Sequence, residues 1–329
     1  MDDINENDLR ELRKITEYCF PRSRIIKPSV FETALEFSTP YFERVGEKIA
    51  SSILDLNFEI FWKDQIVQMA GIGCVSTYPE YRGAGLVRYL MTKILQDEYK
   101  RKTVISYLEP FSAKFYEKFG YKVAFYEKIY KIRMAEFPKG SKAKITRLSL
   151  DDALTYLQNI HEKDQSLGSL RRTKIQWEYY FKLRSQPKVA LAGNEGYLLY
   201  SFDNDKFVIE ELVTLTDEAR QALFYFISSH SSYEMIVYKA PGQENLEVEV
   251  PEPTHMNIQL HPNMMARIIN LKEFFRINGE PYFRVEILDP ILSENNGVYG
   301  PEGPVIKMTI GEFTSKVIAE EKAIIREVF

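Results

Sequence analysis

Four consecutive residues, Arg82-Gly83-Ala84-Gly85, separate an apolar run (residues 66–75) from an amphipathic one. In the second run Leu86, Leu90 and Ile94 recur at a spacing of four, with Val87, Met91 and Leu95 beside them. That is one apolar face of a helix. The order is therefore strand, glycine-rich turn, helix. The first N–H groups of a helix have no intrahelical partner, and glycine and alanine put little side chain in the way of a ligand. A pyrophosphate placed there would collect backbone hydrogen bonds and the positive end of the helix dipole. Arg82 and Arg88 would add charge. An ordinary strand-to-helix turn accounts for the same spacing, so the turn alone leaves both readings open.

A second cluster follows at Pro110-Phe111-Ser112 and Phe115-Tyr116-Glu117-Lys118-Phe119-Gly120-Tyr121. The spacing predicts a short helix over residues 112–119, capped by Ser112 and ended by Gly120. Tyr116 on that helix is either a proton donor or a packing ring. With 21 Tyr and 21 Phe in the chain, an aromatic side chain carries no signal by itself.

These clusters need elements to hold them. Residues 7–20 read as a helix with Leu9, Leu12, Ile15 and Cys19 on one stripe, capped by Asn7 or Asp8. Residues 28–40 read as a connection, and 41–55 as helix or strand. Residues 56–62 and 66–77 read as a β-hairpin leading into the glycine turn. Residues 103–108 are a short strand of β-formers, and 121–133 close a first domain over residues 1–136. After a linker at Pro138-Lys139-Gly140-Ser141, a strand (144–148) and two helical stretches (150–161, 169–184) lead to a repeated order. Residues 189–200, 207–214, 217–229 and 232–238 read strand, strand, helix, strand. Here Leu215-Thr216-Asp217-Glu218 replaces the glycine turn, and carboxylates at a helix start repel a pyrophosphate. Pro251-Glu252-Pro253 marks the next boundary. Beyond it come a strand running into a helix (264–275), three candidate strands (282–288, 291–299, 305–309) and a helical end (310–329).

The 329 residues are long for one core and suggest two or three domains. A hydrophobic share of 45% with 27% charged residues describes an ordinary globular protein. A net charge of −4 gives no bulk basic patch for nucleic acid. Cys19 and Cys74 form no CxxC pair and the four histidines are scattered, so neither a disulfide framework nor a metal site is expected. Without an apolar h-region at the start or a run near ~18 apolar residues, neither a signal peptide nor a membrane span is expected, which leaves the cytoplasm.

The stretch 75–121 resembles the acetyl-CoA-binding core of the GNAT N-acetyltransferases. Their pyrophosphate loop runs Arg/Gln-x-x-Gly-x-Gly/Ala, matched here by Arg82, Gly83, Ala84, Gly85 and Leu86. Val87 departs from the general pattern at its last position. That larger apolar residue, with the order of the whole chain, is similar to the Eis-like (enhanced intracellular survival) branch. The resemblance implies an α/β (α+β) protein of tandem GNAT domains. The first would bind acetyl-CoA, and the second (137–252) would be degenerate. A sterol-carrier-like α/β domain would follow over 253–329, in which 266–270 looks like the opening strand.

For the site, the resemblance implies that Val75, Ser76 and Thr77 offer backbone groups to pantetheine and carbonyl. Arg82, Gly83, Ala84, Gly85, Leu86, Val87 and Arg88 would hold the pyrophosphate. Phe111 and Ser112 would line the thiol end. Tyr116 takes the place of the general acid, and the terminal carboxylate of Phe329 that of the base. The acceptor would be a primary amine of a cationic molecule such as an aminoglycoside, with Glu32 and Glu36 bordering it. A homo-oligomer is implied by analogy only. A protein lysine acetyltransferase and a non-catalytic ligand-binding protein are the competing readings.

Overall fold

The computed structural model of the chain describes residues 4–21, 23, 25 and 27–325. The hairpin is longer than its apolar runs suggest. β1 (Ser38–Val45), β2 (Lys48–Trp62) and β3 (Gln65–Thr77) form an antiparallel meander, so the ambiguous stretch 41–55 is strand. β2 is buried along most of its length, which explains its nearly continuous apolar reading. β3 then pairs in parallel with β4 (Ile105–Leu108) through Met69, Ala70 and Gly71. The crossover between them is α3 (Leu86–Lys100), which buries Leu90, Met91, Ile94 and Leu95.

Two further helices cover the other face. α1 (Glu6–Cys19) is capped by Asn5, which receives the N–H groups of Asn7 and Asp8 while Asp8 returns the bond. The cap thus lies ahead of the expected Asn7 or Asp8. Residues 28–36, expected as a connection, form α2 (Pro28–Glu36). Pro28 sits at the first position, where its missing N–H costs nothing. α4 (Ala113–Glu117) starts at the Ser112 cap and leads into β5 (Lys122–Arg133).

The second half repeats the plan. β6 (Thr146–Leu148), α5 (Leu150–Asp164), the short β7 (Leu170–Arg171) and α6 (Lys174–Leu183) precede β8 (Lys188–Ala192), β9 (Gly196–Asp203) and β10 (Lys206–Thr214). The single strand expected over 189–200 is therefore the β8–β9 hairpin, turned at Gly193 with φ +57°. α7 (Asp217–Ser228) crosses to β11 (Met235–Pro241), parallel to β10, as α3 crosses to β4. The start of α7 is closed by its own Thr216 cap. Its cation, Arg220, pairs with Glu244 and Glu249. Nothing there resembles an open anion site.

The stretch 253–329 does not begin as a separate layer. Its first strand, β12 (Asn257–Ile268), lies between β4 and β5 and is antiparallel to both. One sheet consequently runs β1-β2-β3-β4-β12-β5-β11-β10-β9-β8-β6. α8 (Leu271–Asn278) follows, then β13 (Val285–Leu288), β14 (Gly297–Tyr299) and β15 (Ile306–Thr309) in a small sheet of order β14-β13-β15. α9 (Ile310–Glu320) packs back against β5 and β12. No helix among the described residues is long and apolar enough to cross a membrane.

Candidate active site

The site is built where β3 and β4 part. Their pairing stops at Gly71 and Tyr107, so the outer edge of β3 from Gly73 onward faces an opening. Within it the β2–β3 register slips between Ser52 and Leu54, partners of Ser76 and Gly73. Two residues of β3 thus stand opposite one of β2, which is a bulge. Cys74 carries it at φ +50°, a left-handed conformation that costs a non-glycine residue roughly 1–2 kcal/mol. Such strain collects at functional sites. Val75, the next residue, lines the opening. Burial pushes the Cys74 thiol up to about 12, so it is protonated at neutral pH.

Two cavities meet at this point and share Phe20, Val75 and Phe111. The larger, about 670 Å³, runs along the start of α3. Thr77, Arg82, Gly83, Gly85, Leu86, Val87 and Arg88 line it, together with Lys118 and Phe119, to which the sequence assigned no site role. Gly83 and Gly85 have φ of +82° and +81°. Gly85 is the N-cap of α3 and offers no side chain to the first N–H groups. Those donors, with Arg82, Arg88 and Lys118, make a cradle for an extended polyanion. Three expected residues do not line it. The Ser76 hydroxyl donates to the Cys74 carbonyl, Ser112 caps α4 by accepting from the Phe115 N–H, and Ala84 is also absent from the lining.

The smaller cavity, about 310 Å³, lies under α2, α6 and the residues Phe20, Ser23 and Ile25. Tyr116 lines it, is 2% exposed, and packs edge-on against Phe111, Phe115 and Tyr121. Its hydroxyl has no hydrogen-bond partner among the described residues. Burial, then the neighbouring Tyr121, pushes its pKa up, so it is protonated at neutral pH. Glu109, one residue past β4, is the one carboxylate in the lining. Its side chain is open to solvent within the cavity, yet the protein packed around it, then Glu127, raises its pKa against the pull of Lys239 and Arg184. No spacing in the sequence marks Glu109; only its position at the end of a strand beside the opening could have done so.

Glu32 and Glu36 are exposed and line neither cavity. α2 buries Val30, Phe31, Thr33 and Ala34 instead, and Ala34 is the α2 residue that reaches the smaller cavity. Phe329 falls outside the described residues.

Residues 1–124 match an acetyltransferase (GNAT) domain family, and residues 168–268 match a second acetyltransferase (GNAT) domain family. The chain is an acyltransferase built from tandem GNAT domains. No curated protein matches the sequence significantly. Among solved structures, a probable N-acyltransferase of unknown function from Enterococcus faecalis V583 is similar at 24% identity. It covers 99% of this chain and 98% of its own, with a TM-score of 0.88. A GCN5-related N-acetyltransferase from Anabaena variabilis is 22% identical over 96% of this chain and 88% of its own, with a TM-score of 0.82. Eis1 from Mycobacterium abscessus is 16% identical over 97% and 91%, with a TM-score of 0.81. At these identities the likeness is one of fold.

Acetyl-CoA is the cosubstrate that GNAT domains use, and the glycine turn gives a direct test of where it binds. A Cβ at Gly85 would meet no protein atom within 4 Å, so a side chain there would take up open space beside the larger cavity and strain the left-handed backbone. Gly85→Val should raise the KM for acetyl-CoA by about tenfold or more and cost about 1 kcal/mol of stability. An unchanged KM would move the pyrophosphate elsewhere.

Proposed function

We propose that the chain transfers the acetyl group of acetyl-CoA to a primary amine. The larger cavity would hold the cosubstrate and the smaller one the acceptor. The observation that carries this reading is the meeting of the two cavities at Val75 and Phe111, with Tyr116 and Glu109 lining the smaller. The thioester lies at the junction, its carbonyl oxygen receiving a main-chain N–H beside Val75. Glu109 takes one proton from the ammonium and frees the lone pair. The nitrogen attacks the carbonyl carbon, the C–N bond forms and the C–S bond breaks. Sulfur leaves with the Tyr116 proton, and the nitrogen's second proton restores the tyrosine through solvent. The terminal carboxylate of Phe329 stays the rival base.

The pH profile separates the two. Glu109 works as a base only when ionised, so kcat/KM falls as pH drops through its raised pKa. Glu109→Gln should lower kcat/KM by about 10²–10⁴ at neutral pH and remove that acid limb. A variant that keeps both rate and limb would return the base to Phe329. Acetyl-CoA binding with no turnover of any amine would favour the non-catalytic reading. An aminoglycoside acceptor fits the Eis-like resemblance. The Glu32 and Glu36 border it was expected to use lies outside the cavity.

A further inference from the structure

The walls of the smaller cavity say more about the acceptor than its catalytic groups do. Leu54, Leu56, Ile72, Tyr179 and Leu183 form its body. Among the described residues the lining holds one carboxylate, Glu109, and no cation. The volume, about 310 Å³, lies at the low end of ligand pockets, which run from about 300 to 1,000 Å³. One ammonium can be paired here. Among the described lining residues a second or third would meet aliphatic and aromatic side chains and no further carboxylate, and an unpaired buried charge is strongly disfavoured.

Resting on the acetyltransferase reading, we propose that the acceptor is a monoamine on an apolar body, an arylalkylamine or alkylamine. Its ammonium pairs with Glu109 and its ring or chain lies against Leu54, Leu56 and Tyr179. A polycationic aminosugar is the wrong shape and charge for this lining. Ala34, 1% exposed at the wall, sets the room available to the apolar body.

The experiment measures CoA thiol release by the full chain with tryptamine, 2-phenylethylamine, hexylamine, kanamycin, spermidine and a lysine-containing peptide. The expected result is a kcat/KM for at least one apolar monoamine about 100-fold above those of kanamycin and spermidine. Ala34→Leu should raise the KM for that monoamine about tenfold. Its KM for acetyl-CoA, which reports an intact fold, should not change. Higher kcat/KM for kanamycin or spermidine would overturn the inference and leave acetyl transfer standing. Preference for the lysine peptide would overturn it in favour of a protein acceptor. An Ala34→Leu enzyme with unchanged monoamine KM would overturn the placement of the apolar body. Acetyl-CoA binding without turnover of any amine would overturn both the inference and the reading beneath it.

Discussion

Tyr116→Phe should lower kcat by about 10²–10⁴-fold, the usual contribution of one positioned proton donor. That is roughly 3–5 kcal/mol of transition-state stabilisation. The substitution keeps the ring and its packing against Phe111, Phe115 and Tyr121. It removes a hydroxyl without a protein partner among the described residues, so stability should change by less than about 1 kcal/mol. Tyr116 lines the smaller cavity and not the larger one, so the KM for acetyl-CoA should hold. The pH dependence has a sign. Burial raises the tyrosine pKa, so the acid form persists as pH rises, and no alkaline limb below ~10, the ordinary tyrosine value, belongs to this group. Steady-state kinetics with a saturating amine decide the matter. A phenylalanine enzyme retaining more than half the rate would reduce Tyr116 to a packing ring.

What could be read in the sequence is what depends on near neighbours. The glycine turn, α3 and the hairpin ahead of it follow from local periodicity and backbone freedom, and they stand where expected. α2 did not emerge: residues 28–40 read as a connection between two prolines, whereas Pro28 occupies the first helical position, which tolerates it. Missing α2 also misplaced the acceptor residues. Once residues 28–36 are helical, Val30, Phe31, Thr33 and Ala34 share the inner face and Glu32 and Glu36 fall on the outer one. The Cys74 bulge and the exposure of Glu109 to the cavity depend on where β3 and β4 separate, and no pattern along the chain records that. β12 is the extreme case. Only its end, from Met264, reads as a strand, and its place between β4 and β5 joins segments about 150 positions apart, a pairing that local propensity does not encode.

That long-range insertion also brings a buried ion pair with a large expected effect on stability. Arg267 on β12 is fully buried. Its guanidinium donates to the Phe119 carbonyl and to the carboxylate of Asp289. Asp289 is otherwise satisfied, accepting from the N–H groups of Ile291 and Leu292 and from Asn295. Gly120 lies against the same guanidinium at φ +79°, and a Cβ there would meet Ile310 Cγ2 at 2.7 Å and Arg267 Nη1 at 3.0 Å. One cation therefore ties the small C-terminal sheet to the end of the helix that carries Tyr116. Arg267→Met keeps much of the volume but strands a buried carboxylate and a buried carbonyl, and should cost about 3–5 kcal/mol in urea unfolding. The Arg267→Met/Asp289→Asn double variant should recover part of that loss, because the uncompensated charge, not the missing bond, dominates the cost. Under native conditions the single variant should also lower kcat more than it raises the KM for acetyl-CoA, since α4 loses its anchor while the glycine turn of α3 keeps its own. A urea midpoint unchanged by Arg267→Met, or a double variant less stable than the single, would show that the pair neither braces the helix nor pays its own desolvation through Asp289.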